Sequence, residues 1–530
     1  MRTRFHLLLG CYVFATACAA DSSGIDSASV PQAGAGGVNN NSNTSTNVGF
    51  GGAQDFGFFR AQVEAGNVPF ADDMDAAGFF AEHHGELPEA ECGERVCPQT
   101  MLGVMNNLID GSNCTLLQIG LNSPVTIDPD NRPGLDLAVV VDVSGSMEGE
   151  GKLASVQQGL RLMFNEMRDD DRIALVTYNG RAESVFSLDS VRGNRNALLE
   201  LVDRLNANGA TNIFDGLELG YSELRADYDA EREARVILLS DGEATAGRTA
   251  SDAILAMSAA ENREGIGLTT IGVGTSFNIE LMRDLALQSD GNFYFVENAS
   301  AVDEVFTEEV AYFTLPVARD VEIDVTVGTL YDFGRALGTP LWADTENGGS
   351  LDLPSVFLAH RESADDVTEG GDRRGGGSRL LVEVMPSTRA DGEEVSATVA
   401  TVTMSFTDPT TGERHTQERM VEFPSSPLET PTRGLFETPM VEKSFVVLNL
   451  YLGLVDAVTA FHNGSPEEAL DVLVGLVAAA ADYEDSANQG EGDRDIRADI
   501  ELMEALIGNI ETASAETAPT EVPEDPWPAD

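Results

Sequence analysis

Basic residues are scarce in this chain. Its 530 residues include 32 Lys and Arg against 89 Asp and Glu, a formal net charge of −57 at pH 7. No basic patch of useful size survives in such a field, so nucleic acid is excluded as a partner, as is charge-driven attachment to an anionic membrane. Histidine is rarer still, with six in the whole chain, one of them His6. None lies between Pro133 and Thr314. There is no Gly-x-Ser-x-Gly elbow, no His-Glu-x-x-His and no Cys beside a convincing His, so no catalytic residue is assigned and no enzyme is expected. No run of about 18 apolar residues is read beyond Ala20, so no transmembrane helix is expected. Apolar residues still make up 42% of the chain, enough to bury large cores and exclude global disorder. At about 150 residues per domain, three or four folded units are expected.

Residues 1–20 read as a secretory signal: Arg2 and Arg4, a mostly apolar stretch from Phe5 to Ala17, then small residues. Ala15-Thr16-Ala17-Cys18 resembles a bacterial lipoprotein box, which makes Cys18 the candidate lipidated residue. Leu8-Leu9-Gly10-Cys11 fits the same pattern but sits too early, and plain cleavage near Ala20 is the alternative. Residues 21–53 are rich in Gly, Ser, Asn and Thr and are expected to form a flexible linker. The expected location is exported: an outer-membrane or cell-surface lipoprotein, otherwise a periplasmic or secreted protein. Membrane attachment would run through the lipid anchor only.

Residues 54–114 are expected to be mainly helical. Three cysteines remain in the body, Cys92, Cys97 and Cys114, and the first two are close enough to close a small disulfide loop. The alternative is zinc, with His83 and His84 nearby, but no Cys-x-x-Cys unit is present.

From Leu135 the chain alternates strand-like and helix-like segments. Leu135 to Val141 is nearly all apolar, as a strand buried on both faces must be. Arg172 to Tyr178, Arg235 to Leu239 and Leu268 to Val273 are further buried strands. Helical spacing runs over Lys152 to Arg168, Asn212 to Arg225, Ala250 to Arg263, Ile279 to Leu287 and Ala301 to Val310. This predicts an α/β, doubly wound, mostly parallel, Rossmann-like sheet over residues 133–314, with ligands gathered at the carboxyl ends of its strands.

Three loops at that edge carry hard oxygen donors. They are Asp142-Val143-Ser144-Gly145-Ser146, the segment holding Thr211, and Ser240-Asp241. Asp-x-Ser-x-Ser with a later Thr and a later Asp resembles the metal-ion-dependent adhesion site (MIDAS) of von Willebrand factor type A (VWA) domains, over about Pro133 to Phe313. The resemblance implies that Ser144, Ser146 and Thr211 contact a divalent ion directly or through water. By the same resemblance Asp142 and Asp241 act through water or by orienting waters, with direct contact depending on the state. The ion is Mg²⁺, or else Mn²⁺ or Ca²⁺. Neutral hydroxyl ligands leave the ion much of its charge, and Mg²⁺ retains exchangeable waters. An acidic side chain from another protein can then complete the shell, as the family's partners do. Alternatively the ion only stiffens the loops, or the site takes an internal acid. Asp215 and Glu243 are read as serving loop hydrogen bonding or long-range charge. Gly272-Val273-Gly274 is no phosphate loop, since no Gly-Lys-Ser/Thr follows. Asp128-Pro129-Asp130-Asn131 reads as a turn.

Val321, Ile323, Val325 and Val327 alternate with polar residues, the period of a half-buried strand. Leu380 to Val384, Val395 to Phe406 and Arg419 to Phe423 continue the pattern, with a phase shift between Val399 and Ala400 that predicts a bulge. Leu116 to Ile119 and Val125 to Ile127 read as strands upstream. Residues 115–132 and 316–426 are therefore expected to form one β-sandwich into which the metal-binding sheet is inserted, with residues 369–378 as a surface loop. Residues 438–512 are expected to be a helical unit, with Ser465-Pro466-Glu467-Glu468 as a helix start, and residues 513–530 a disordered acidic tail. The function expected is protein binding, adhesion or assembly through an acidic ligand of a partner protein. A metal-dependent hydrolase and a structural envelope protein are the alternatives, and the oligomeric state is left open.

Overall fold

The computed structural model describes residues 46–50, 56–109, 111, 113–125, 132–149, 151–241, 243–274, 278–288, 291–296, 305–306, 316–359, 377–386, 398–422 and 434–517. The expected signal segment with Cys18, most of the linker, Thr126–Ile127, the turn at 128–131, nearly all of the helix expected over 301–310, the loop at 369–376, residues 395–397, Phe423 and residues 518–530 lie outside them.

The first described segment, β1 (Thr46–Phe50), lies inside the expected linker and corrects it. Its sequence carries little strand signal of its own, but β1 pairs antiparallel on both sides and buries Val48 completely. Residues 54–114 are helical only at their start, another correction. Two short helices, α1 (Gly57–Glu64) and α2 (Ala76–Ala81), are followed by β2 (Cys97–Asn106) and its antiparallel partner β3 (Asn113–Ser123). Cys92 and Cys97 are joined by a disulfide, and among the described residues no group of three or more His, Cys, Asp and Glu is placed to hold a metal. His83 is instead buried against Asp499, with Nε2 2.5 Å from Oδ2. The zinc alternative therefore falls.

The inserted unit runs β4 (Leu135–Asp142), α3 (Lys152–Glu166), β5 (Arg172–Tyr178), β6 (Ala182–Ser190), α4 (Arg195–Asp203), α5 (Ile213–Arg225), β7 (Glu233–Ser240), α6 (Ser251–Asn262), β8 (Ile266–Val273), α7 (Ile279–Leu287) and β9 (Phe293–Val296). The sheet order is β6-β5-β4-β7-β8-β9, parallel except for the edge strand β6. All eight residues of β4 are buried, as expected of a Val-rich central strand covered on both faces. One face packs on α3 and α4 through Val156, Leu160, Met163 and Leu198, the other on α5, α6 and α7 through Leu217, Tyr221, Ile254 and Leu285. The direction of winding reverses between β4 and β7, which makes the carboxyl ends of those two strands the natural ligand crevice.

The chain then returns as β10 (Pro316–Val327), β11 (Tyr331–Leu337), β12 (Trp342–Thr345), β13 (Gly348–Leu358), β14 (Arg379–Pro386), β15 (Thr398–Thr407), β16 (Arg414–Glu422) and β17 (Leu435–Phe436). With β1, β2 and β3 these strands form one eleven-stranded sheet folded into two halves. One half runs β11-β14-β3-β2-β17, and the other runs from β13, flanked by β1 and β12, through β10 and β15 to β16. The two halves share a core that includes Leu117, Ile119 and Val382 from the first and Ile323, Leu353 and Met404 from the second. The register of β15 against β16 shifts between Thr398 and Ala400, at the expected bulge.

Three helices complete the chain: α8 (Pro439–His462), α9 (Pro466–Ser486) and α10 (Arg494–Thr517). The last continues past residue 513, so the first residues of the expected disordered tail are helical instead. By length and composition α8 is apolar enough to cross a membrane, which corrects the expectation that no such stretch exists. Here it is a core helix. Phe445, Leu448, Leu450 and Leu454 are fully buried and share a cluster with α9, α10, α1, α2 and the outer face of β3 and β14. Its buried Lys443 pairs inward with Asp493 and Asp495 at 2.9 and 2.8 Å.

Candidate metal centre

The site forms where the chain leaves β4 and β7. Asp142 is the last residue of β4 and Asp241 follows the last of β7, and both are fully buried. After Asp142 the chain turns at once into a short 3-10 helix over Gly145–Glu148, which accounts for the hydroxyls at alternate positions facing one place. Ser144 N–H donates to Asp142 Oδ1 at 2.8 Å, and the Ser240 hydroxyl donates to Asp142 Oδ2 at 3.0 Å. The Ser144 and Ser146 hydroxyls are 3.0 Å apart, and Ser146 donates to Asp241 Oδ1 at 2.7 Å. Four of the five residues singled out in the sequence thus share one hydrogen-bonded chain.

Thr211 comes from the loop before α5 and is held beside them by backbone. Gly145 N–H donates to Gly209 O at 3.0 Å, and Asn208 N–H to Val143 O at 2.7 Å. A Cβ at Gly145 would stand 3.3 Å from the Gly209 carbonyl, so the glycine lets the two loops touch. Thr211 N–H donates to Thr245 Oγ1 at 3.0 Å. Its carbonyl accepts from Thr245 and Ala246 at 2.9 and 3.0 Å, which ties in the loop after β7. Asn212 then caps α5, accepting from Asp215 N–H at 3.2 Å and donating to Asp215 Oδ2 at 2.7 Å. Asp215 is therefore a helix-start residue.

Burial pushes the Asp142 carboxyl above its ordinary range, against the pull of hydrogen bonds from Ser144 and Ser240, and the nearby Asp241 pushes the same way. Burial also raises the Tyr178 phenol well above its usual value, with the Asp142 charge adding to it. Tyr178 is fully buried behind the site and donates to Leu239 O at 3.3 Å. Sequence reasoning missed the role of Lys152, whose Nζ donates to Asp241 Oδ2 at 3.0 Å. The one signal it left was a Lys at the first position of a helix, where the dipole disfavours a cation. The donor set consists of hydroxyl and carboxylate oxygens, which fits a hard divalent ion better than a soft one.

Fold and site together define an open α/β domain whose oxygen-rich loops meet at the switch point of the sheet. Residues 136–308 match the family model for the von Willebrand factor type A domain, and this part of the chain is such a domain. A related protein is the uncharacterized protein YfbK of Escherichia coli (strain K12), 32% identical over 195 residues, which are 36% of this chain and 34% of that protein. Inter-alpha-trypsin inhibitor heavy chain H3 of Homo sapiens is 29% identical over 213 residues, 37% of this chain and 23% of its own. This chain thus spans about a third or less of both relatives. Among solved structures, a von Willebrand factor type A protein from Catenulispora acidiphila aligns with 78% of this chain and 96% of its own, at 14% identity and a TM-score of 0.48.

Proposed function

We propose that this is an exported, lipid-anchored binding protein whose VWA domain holds a divalent ion and uses it to engage an acidic residue of a partner protein. The observation that carries the reading is the chain of contacts Ser144–Ser146–Asp241, closed by Asp142, at the switch point of the sheet. Ser144, Ser146 and Thr211 would hold the ion with neutral oxygens, and Asp142 and Asp241 would supply the charge. An ion held this way keeps enough positive charge to attract one more carboxylate, and a hydrated Mg²⁺ has exchangeable places to receive it. Asp142, Asp241 and the Thr211 backbone are already fixed by the three loops, so capture of the ion requires little reordering. A binding role is favoured over a hydrolytic one because the domain contains no His, leaving only carboxylates for proton transfer. Export and anchoring rest on the Arg2–Ala17 pattern and on Cys18.

The test is calorimetric titration of Mg²⁺ and Mn²⁺ into the mature protein beside Asp142→Ala and Thr211→Ala. A saturable component present in the parent and lost in both variants is expected, above the diffuse cation uptake of so acidic a surface. Identical isotherms for all three would sink the metal reading.

A further inference from the structure

Lys152 stands where a helix disfavours it. It is the first residue of α3, at the end where unpaired N–H groups concentrate positive charge, and the first turn holds no acidic residue to offset it. Yet the side chain is folded inward. It is 9% exposed, and its ammonium lies 3.0 Å from Oδ2 of the fully buried Asp241. Gly274, just after β8, leaves room along the way: its φ of +75° suits glycine, and an added Cβ would fall 2.6 Å from Lys152 Cε. A desolvated cation at the wrong end of a helix contradicts local preference at two points, and a glycine 122 residues away in the chain (274 − 152) gives it room. Such contradictions concentrate at functional sites.

The charges indicate the role. Asp142 and Asp241 bring two negative charges when ionised, and Lys152 cancels one of them at the very carboxylate that would face an ion. A divalent ion therefore meets a site of one net negative charge, and its arrival leaves one net positive charge beside the positive end of α3. One further carboxylate brings that to neutrality. We propose that Lys152 is a built-in counter-cation that keeps metal affinity low until an acidic ligand joins the ion, so that ion capture and partner capture become one event. The inference rests on the reading of Asp142, Ser144, Ser146, Thr211 and Asp241 as a metal site. It adds a residue outside that motif and assigns it control over when the site fills.

The experiment is calorimetric titration of Mn²⁺ alone into the full chain, its Lys152→Met and Lys152→Gln variants, and each of these with Asp142→Ala added to subtract diffuse binding. Gln keeps a hydrogen-bond donor for Asp241, so it decides the matter if Met does not fold, and thermal melting reports folding in every case. At fixed ionic strength both neutral variants are expected to bind Mn²⁺ at least about tenfold more tightly than the parent, since a cation has been removed from beside the ion. Acetate, as a carboxylate probe, is expected to tighten Mn²⁺ binding in the parent more than in the variants. Equal or weaker Mn²⁺ binding by folded neutral variants overturns the proposal and makes Lys152 a brace for Asp241. Absence of Asp142-dependent binding in every background removes the metal reading itself, and the inference with it. Asp142-dependent binding in the parent that the neutral variants leave unchanged removes the inference alone.

Discussion

Asp171 shows how much one buried carboxylate can organise. It is fully buried and accepts from both terminal nitrogens of Arg132 at 2.8 and 2.7 Å, from Leu135 N–H at 3.0 Å and from Arg168 N–H at 2.8 Å. Burial alone would push its acid up, but the Arg132 and backbone hydrogen bonds outweigh this and hold it below the usual carboxylate range. A carboxyl depressed in the folded state contributes stability that is complete above its unfolded value and is lost as pH falls through the folded one. Asp171→Asn is expected to cost about 3 kcal/mol at neutral pH, because it leaves the partly buried Arg132 guanidinium without its counter-charge. The deficit should shrink in acid, as urea unfolding at pH 7 and about pH 3 would show, and a pH-independent loss would contradict the account. At this scale the candidate centre was partly legible. Asp142, Ser144 and Ser146 stand within five consecutive residues, and strand–helix alternation placed them at a sheet edge. Ser240 was named with Asp241, but its bond to Asp142, 98 residues away, was not legible, nor was Lys152 as a member, its partner lying 89 residues away.

Among the elements, legibility followed burial. β5 and α7 are found at the residues where the apolar pattern set them, Arg172–Tyr178 and Ile279–Leu287, because a strand buried on both faces and a strongly amphipathic helix each impose a period. β6 was missed because no residue of this edge strand is fully buried, so neither an apolar run nor clean alternation is required. β1 was missed for a different reason: its order comes from its neighbours. Ser123, Asn122 and Leu121 of β3 on one side and Leu358, Phe357 and Val356 of β13 on the other use its backbone. A chain starting at Phe56 would leave both edges open and remove Val48 from the core. It is expected to melt at lower temperature and to associate through those edges, while any saturable Mn²⁺ binding of the kind proposed for the VWA domain is retained. Scanning calorimetry and light scattering check this, and an unchanged melting profile would show that β1 is dispensable.

For the whole molecule, charge is the dominant quantity. With a net charge of −57, mutual repulsion opposes the compact state, and salt screens it over about 10 Å at 0.1 M. The thermal midpoint is therefore expected to rise as NaCl increases from about 10 to about 150 mM, and a flat or falling midpoint would mean that local ion pairs already neutralise the surface. Chain enters the inserted domain at Leu135 and leaves through Pro316, and Arg319 of β10 reaches back to Glu233 at the start of β7 at 2.7 Å. The inserted domain also meets the rest of the chain away from its entry and exit: Arg283 of α7 donates to Asp73 O at 3.0 Å, and Phe58 of α1 packs edge-on against Phe295 of β9. Asp142 and Asp241 stand at the far ends of β4 and β7, about 3.3 Å per residue further along. Tension applied between those loops and the Leu135 end of β4, were the proposed partner to supply it, would run along the strands. β4 is hydrogen-bonded lengthwise to β5 and β7 from Leu135 to Asp142, so tension would load both ladders in shear, many bonds at once. The grip proposed for these loops would then depend on the strength of the central strands as much as on the chemistry at their tips.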